Sequence, residues 1–181
     1  MSIKIAIYMT NHSILWMVSV CIYFLSISTS VQAQRRFPQV EVKQLNGKFI
    51  DLSTIFNDNK PMVLFAWEVT CQPCIVEFTN ISKVYEQWKK ETDVKIVAVS
   101  VDDNRSSPKV KPLSTSRGWY FDIYLDPNQT FKRAMNEPHC PYAFILNGKG
   151  EVVWQKGGYT PGDEEIIYDI VKKVSLGEAI E

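Results

Sequence analysis

Excess charge is missing from this chain: 20 Lys+Arg stand against 20 Asp+Glu, for a net charge of +0. A neutral chain offers no electrostatic footprint to a polyanion, which excludes nucleic acid and acidic polymers as expected partners. Repeats and low-complexity tracts are absent as well, which excludes arrays and disordered linkers. Histidine is scarce, with only His12 and His139 in 181 residues. Cysteine occurs four times, and only Cys71 and Cys74 form a Cys-x-x-Cys pair. A structural zinc site usually needs two such pairs, so this sequence does not supply the ordinary zinc-knuckle ligand set.

Long apolar runs are also few. One, "ILWMVSVCIYFLSI" at 14–27, carries no charge and follows a segment whose only charged side chain is Lys4. It leads to Val31-Gln32-Ala33, with a small residue at the expected scissile bond. This pattern predicts a secretory signal peptide over 1–33, cut after Ala33. The run is short for a membrane span, which wants about 20 apolar residues. The expectation is a secreted or periplasmic protein, membrane-anchored if the segment stays uncleaved. A lipoprotein reading through Cys21 fails, because Val20 stands where a small residue is needed. Residues 34–181 are then one domain of ordinary length, and the 45% hydrophobic composition supports a sizeable core. That domain keeps Cys71, Cys74 and Cys140, an odd number of thiols for an oxidising compartment.

The pattern along the domain alternates strand and helix. "VEVKQLNGKFIDL" alternates around Asn46-Gly47, a hairpin signal. "PMVLFAW" (61–67) reads as a strand buried on both faces. Cys74, Phe78, Ile81, Tyr85 and Trp88 then step by four, three, four and three, one face of an α-helix. Lys89 and Lys90 suit its C-terminus. "VKIVAVSV" (94–101) is a second buried strand, and 102–118 a Pro-broken loop with room for one short helix. "WYFDIYLD" (119–126) reads as strand and 128–136 as a short helix. "YAFIL" and "EVVWQ" flank Asn147–Gly150 as an antiparallel hairpin, and Ile167, Ile170, Val171 and Val174 mark a last amphipathic helix. The implied class is α/β, a central mixed sheet covered by helices on both faces.

The dithiol therefore sits where a buried strand gives way to a helix. There the unpaired backbone N–H groups and the helix dipole favour a thiolate. Thiols so placed have pKa values of about 3.5–7.5 instead of about 8.5. Cys71 is expected to be the exposed nucleophile and Cys74, one turn inside, the resolving thiol. Gln72 and Pro73 form the active-site loop between them. Pro73 is tolerated in a first helical turn, and Gln72 is the element expected to tune the potential.

"MVLFAWEVTCQPCIVEF" and "PYAFILNGKGEVVWQKGGY", in this order, resemble the thioredoxin superfamily, more closely its TlpA/ResA-like exported thiol-disulfide oxidoreductases. The resemblance spans roughly residues 38–175 and implies a thioredoxin-like fold with an N-terminal β-hairpin. It also implies a strand–helix insertion at 119–136. It further implies a cis-proline at Pro141, facing the dithiol, where a cis bond exposes backbone to an extended substrate. Glu77, three residues after Cys74, falls where that subgroup keeps a glutamate implicated in proton handling. A solvated helix glutamate is the plain alternative. Phe65 replaces the buried aspartate of thioredoxins themselves, leaving Glu77 as the internal carboxylate. Trp67 matches an aromatic of the same block and joins Cys140 and Pro141 as an expected substrate contact. Thr70 and Phe78 depart from the family's tryptophan and proline. No Pro-x-x-x-Thr-x-x-Cys pattern precedes Cys71, which argues against a peroxidase.

Cys140 stands where relatives carry threonine, valine or isoleucine. It has three readings: a competing disulfide partner, a soft metal ligand, or a small apolar stand-in for valine. With Cys71, Cys74 and His139 it would complete a Cys₃His set for zinc or Cu(I). The leading expectation asks for no cofactor or metal. It is an oxidoreductase, a reductase by analogy, exchanging disulfides with exported proteins and recharged by a membrane electron donor. The competing expectations are a metal-delivery module and a noncatalytic thioredoxin-like interaction domain.

Overall fold

The computed structural model describes residues 37–136 and 139–180. The expected signal peptide at 1–33, with Cys21 and His12, lies outside the described residues, as do the first three residues of the expected domain, 34–36. The first two described strands, β1 (Glu41–Gln44) and β2 (Phe49–Asp51), form the hairpin predicted at Asn46-Gly47. Gly47 takes a φ of 94°, a conformation open to glycine, and its N–H donates to Gln44 O. A 3₁₀ turn, Leu52–Ile55, follows and is capped by the Asp51 carboxylate. Next come β3 (Met62–Trp67), buried along its whole length, and α1 (Gln72–Thr92). The residues spaced four and three apart in α1 are all buried, and Asp93, in the left-handed region, ends the helix.

β4 (Lys95–Ser100) is followed by more helix than the prolines suggested: a 3₁₀ turn at Ser107–Lys109 runs into α2 (Val110–Arg117). Pro108 and Pro112 both lie in first turns, where a missing N–H costs nothing, and Gly118 closes the helix at a φ of 65°. The strand expected over 119–126 is shorter, β5 (Asp122–Leu125). Trp119 and Phe121 leave the ladder because their rings fill the core instead. The chain ends with α3 (Thr130–Met135), β6 (Tyr142–Leu146), β7 (Val152–Gly157) and α4 (Asp163–Ser175).

The seven strands among the described residues form one sheet in the order β2-β1-β5-β4-β3-β6-β7. β3, β4 and β5 are parallel neighbours, and the other pairs are antiparallel. α1, α2 and α4 cover one face; the Leu52–Ile55 turn and α3 cover the other. This is the mixed, doubly covered α/β architecture expected. Phe78 is the hub of the first face, with Phe65, Trp67, Trp119 and Phe121 all edge-on to it at centroid separations of 5.1–5.5 Å. Such edge-to-face contacts add to the area these rings bury. Among the described residues no helix is long and apolar enough to cross a membrane.

Candidate active site

The loop from β3 to α1 carries the cysteines. Cys71 is the N-cap of α1: its sulfur accepts the Cys74 N–H at 3.2 Å, and its own N–H donates to Glu68 O at 3.0 Å. A sulfur in that position faces the donor end of the helix, the local field that lowers a thiol's pKa. Cys71 and Cys74 are joined in a disulfide, with Cα atoms 5.3 Å apart. The two ends of the bond differ in access. Cys71 is half-buried, Cys74 is fully buried, and Gln72 and Pro73 are exposed beside them. An incoming sulfur reaches Cys71 first.

A residue that the sequence did not mark holds this loop. Asp102, just past β4, is buried, and one of its carboxylate oxygens accepts both the Val69 N–H at 2.9 Å and the Ser100 hydroxyl at 2.8 Å. Burial pushes its carboxyl above the usual range, against the opposing pull of these two hydrogen bonds. Val101 N–H donates to Trp67 O at 2.9 Å, a second tie between the same segments. Asp102→Ala leaves Val69 N–H and the Ser100 hydroxyl without their acceptor. The expected cost is about 1–3 kcal/mol, read from urea midpoints, with Asp102→Asn retaining most of the stability.

Glu77 is on the inner face of α1, 2% exposed, and its Oε2 has no hydrogen-bond partner among the described residues. The solvated alternative is thereby overturned. Burial pushes its carboxyl up to about 8; the charges of Asp163 and Glu164 add to this, and Lys156 opposes it. It lies one helical turn beyond Cys74, within the same buried layer.

The Cys140–Pro141 peptide is cis, as the resemblance implied. β6 pairs with β3 through Ala66↔Tyr142, so one residue further the register sets Pro141 opposite Trp67, at the sheet end from which the dithiol loop departs. Pro141 O accepts the Gly158 N–H at 2.8 Å. Cys140 is half-buried and packs against both core clusters, the first of which Cys71 also borders. Trp67 does not fit its expected place as a substrate contact: it is completely buried, edge-on to Phe78 and Trp119, and serves the core. His139 is exposed and lies beside Gly157. Among the described residues no three His, Cys, Asp or Glu side chains gather to hold a metal ion, so Cys71, Cys74, Cys140 and His139 do not form the Cys₃His set.

A family model described as the AhpC/TSA family matches residues 33–155. The chain belongs to the AhpC/TSA family. Among relatives, it is 27% identical over 132 residues to the thiol-disulfide oxidoreductase ResA of Halalkalibacterium halodurans, covering 72% of each protein. It is 25% identical over 134 residues to the sporulation thiol-disulfide oxidoreductase A of Bacillus subtilis, covering 71% of this chain and 79% of that protein. A thioredoxin-like protein of Porphyromonas gingivalis, solved in solution, superposes with a TM-score of 0.70 at 37% identity. That match covers 77% of this chain and 92% of the other. This AhpC/TSA member thus has a thioredoxin-like fold, with its Cys-x-x-Cys disulfide at the start of α1.

Proposed function

We propose that this AhpC/TSA-family protein is a thiol-disulfide oxidoreductase that reduces disulfides in exported proteins. The observation that carries the reading is the Cys71–Cys74 disulfide at a helix N-terminus, with one sulfur accessible and the other buried. Both curated relatives named above are thiol-disulfide oxidoreductases, which supports it. The apolar run at 14–27 and the Val31-Gln32-Ala33 pattern support the exported setting.

In the reduced protein the Cys71 thiolate attacks one sulfur of a substrate disulfide, and the other substrate sulfur leaves as a thiolate. Cys74 then gives its proton to the Glu77 carboxylate and attacks Cys71 Sγ. The Cys71–Cys74 bond forms as the mixed disulfide breaks, and the second substrate sulfur leaves and is protonated. Two electrons have passed to the substrate. Glu77 suits the proton step because a group that titrates near neutral pH can both take and return a proton. The Cys140–Pro141 segment backs the docked substrate. A membrane-bound dithiol donor returns the protein to its reduced form.

The test is direct transfer. Reduced protein mixed with a disulfide-bonded peptide, then quenched by alkylation, is expected to yield a peptide with both cysteines alkylated and a protein with Cys71 and Cys74 protected. A peptide that stays oxidised while Cys71 and Cys74 remain alkylatable overturns the function.

A further inference from the structure

Glu77 shares its helix face with Asn80, whose side chain donates to the Tyr159 hydroxyl at 2.8 Å and ties α1 to the connection between β7 and α4. Lys156 belongs to the cross-strand row Ala98–Phe65–Ala143–Lys156. Residues directly opposite one another in a sheet point to one face, and Phe65 and Ala143 point to the face covered by α1 and α4. The Lys156 stem therefore runs under those two helices. Its ammonium pairs with Asp163, which is 6% exposed and also accepts the Thr160 N–H at 2.7 Å. Glu164 accepts from the Tyr159 hydroxyl and from Gly162 N–H, both at 3.1 Å. The charges that bear on Glu77 are those of Lys156 from β7 and of Asp163 and Glu164 from α4, with Tyr159 on the connection and Asn80 beside Glu77 on α1.

We propose that Lys156 and Asp163 are positioning residues for Glu77, an opposed charge pair that sets its proton affinity and so the pH at which Cys74 attacks the mixed disulfide. The inference rests on the reading of Glu77 as the proton acceptor for Cys74. Lys156 favours the carboxylate and Asp163 the acid, so the pair pulls the same titration in opposite directions. The Lys156 side chain is partly exposed while Asp163 is buried, which places the ammonium between solvent and the internal carboxylates. Neither group exchanges a proton in the step itself: the proton passes from Cys74 Sγ to Glu77, and the substrate sulfur leaves as Cys74 bonds to Cys71.

Two readouts in the full protein test this: the Glu77 carboxyl midpoint by ¹³C NMR, and the pH profile of substrate release from the mixed disulfide. Lys156→Gln removes the ammonium while the hydrogen bond from Thr160 N–H keeps Asp163 in place at the start of α4. It is expected to raise the Glu77 midpoint by about one pH unit. Release at pH 7 then slows about tenfold, because the carboxylate fraction falls by that factor. Asp163→Asn is expected to lower the midpoint and speed release, and the double variant to fall between the two singles. A Glu77 midpoint that stays put in Lys156→Gln overturns the inference. A midpoint that moves while the release profile does not overturns the role of Glu77 instead.

Discussion

Cys71→Ser is expected to end disulfide reduction, with a loss of at least roughly a thousandfold, the scale on which losing a catalytic nucleophile acts. Cys74→Ser is expected to fail differently. Cys71 is the sulfur with access to solvent and the one at the helix N-terminus, so it still attacks. With no buried thiol to complete the exchange, the substrate stays attached and a one-to-one mixed disulfide through Cys71 accumulates. Mass spectrometry of the quenched mixture distinguishes the two variants. If Cys71→Ser traps substrate on Cys74 instead, the order of attack drawn from burial is wrong.

Stability should fall by about 5 kcal/mol between pH 4.5 and 8 through Glu77 alone, judged on the oxidised protein. Its carboxyl titrates at about 8 in the fold, against 4.5 for an ordinary glutamate. Below pH 4.5 both the folded and unfolded chains hold the proton, and the contribution is fully present. Between the two values only the folded state holds it, so each rise of one pH unit costs about 1.4 kcal/mol. Above 8 both states have released it and the loss is complete. Asp102, also raised by burial, adds a fall of the same sign, so the wild-type curve by itself is not specific to Glu77. The difference from Glu77→Gln is specific, because the amide cannot ionise. That variant is expected to lose less stability between pH 5 and 8.5, by several kcal/mol, in urea midpoints. It is also expected to slow the attack of Cys74. Parallel pH curves for the two proteins would contradict the burial of an ionisable group at this position.

What the sequence disclosed follows from how local each signal is. The period of Cys74, Phe78, Ile81, Tyr85 and Trp88 is written in one stretch of chain, and the helix face followed from it. The same holds for the Asn46-Gly47 turn and the apolar run of β3. Errors arose where local composition meant two things. Prolines in 102–118 hid the extent of the helix there: the one short helix expected is present, and a 3₁₀ turn precedes it because Pro108 and Pro112 occupy first turns, where they do no harm. Trp119 and Phe121 read as strand because aromatic residues favour strands, yet their rings were needed around Phe78.

The site divides in the same way. Cys71, Cys74 and Glu77 are close along one helix, so spacing placed them near one another, and the family resemblance supplied the role expected of Glu77. Asp102 is invisible in that sense, since its bond to Val69 spans 33 residues and exists only because β3 and β4 lie side by side. Lys156 and Asp163 meet only through the β7–α4 connection, far along the chain from the helix that carries Glu77. Trp67 matched a family aromatic, but its burial is a property of the finished core.

A redox titration of the purified protein in thiol buffers, with alkylated cysteines counted by mass at each potential, tests the central claim most directly. The account predicts that Cys71 and Cys74 lose and regain protection together, in one two-thiol transition near the thioredoxin value of about −270 mV. A two-thiol transition near about −120 mV would make the protein an oxidant and contradict the reducing direction. No two-thiol transition at all would contradict the oxidoreductase itself.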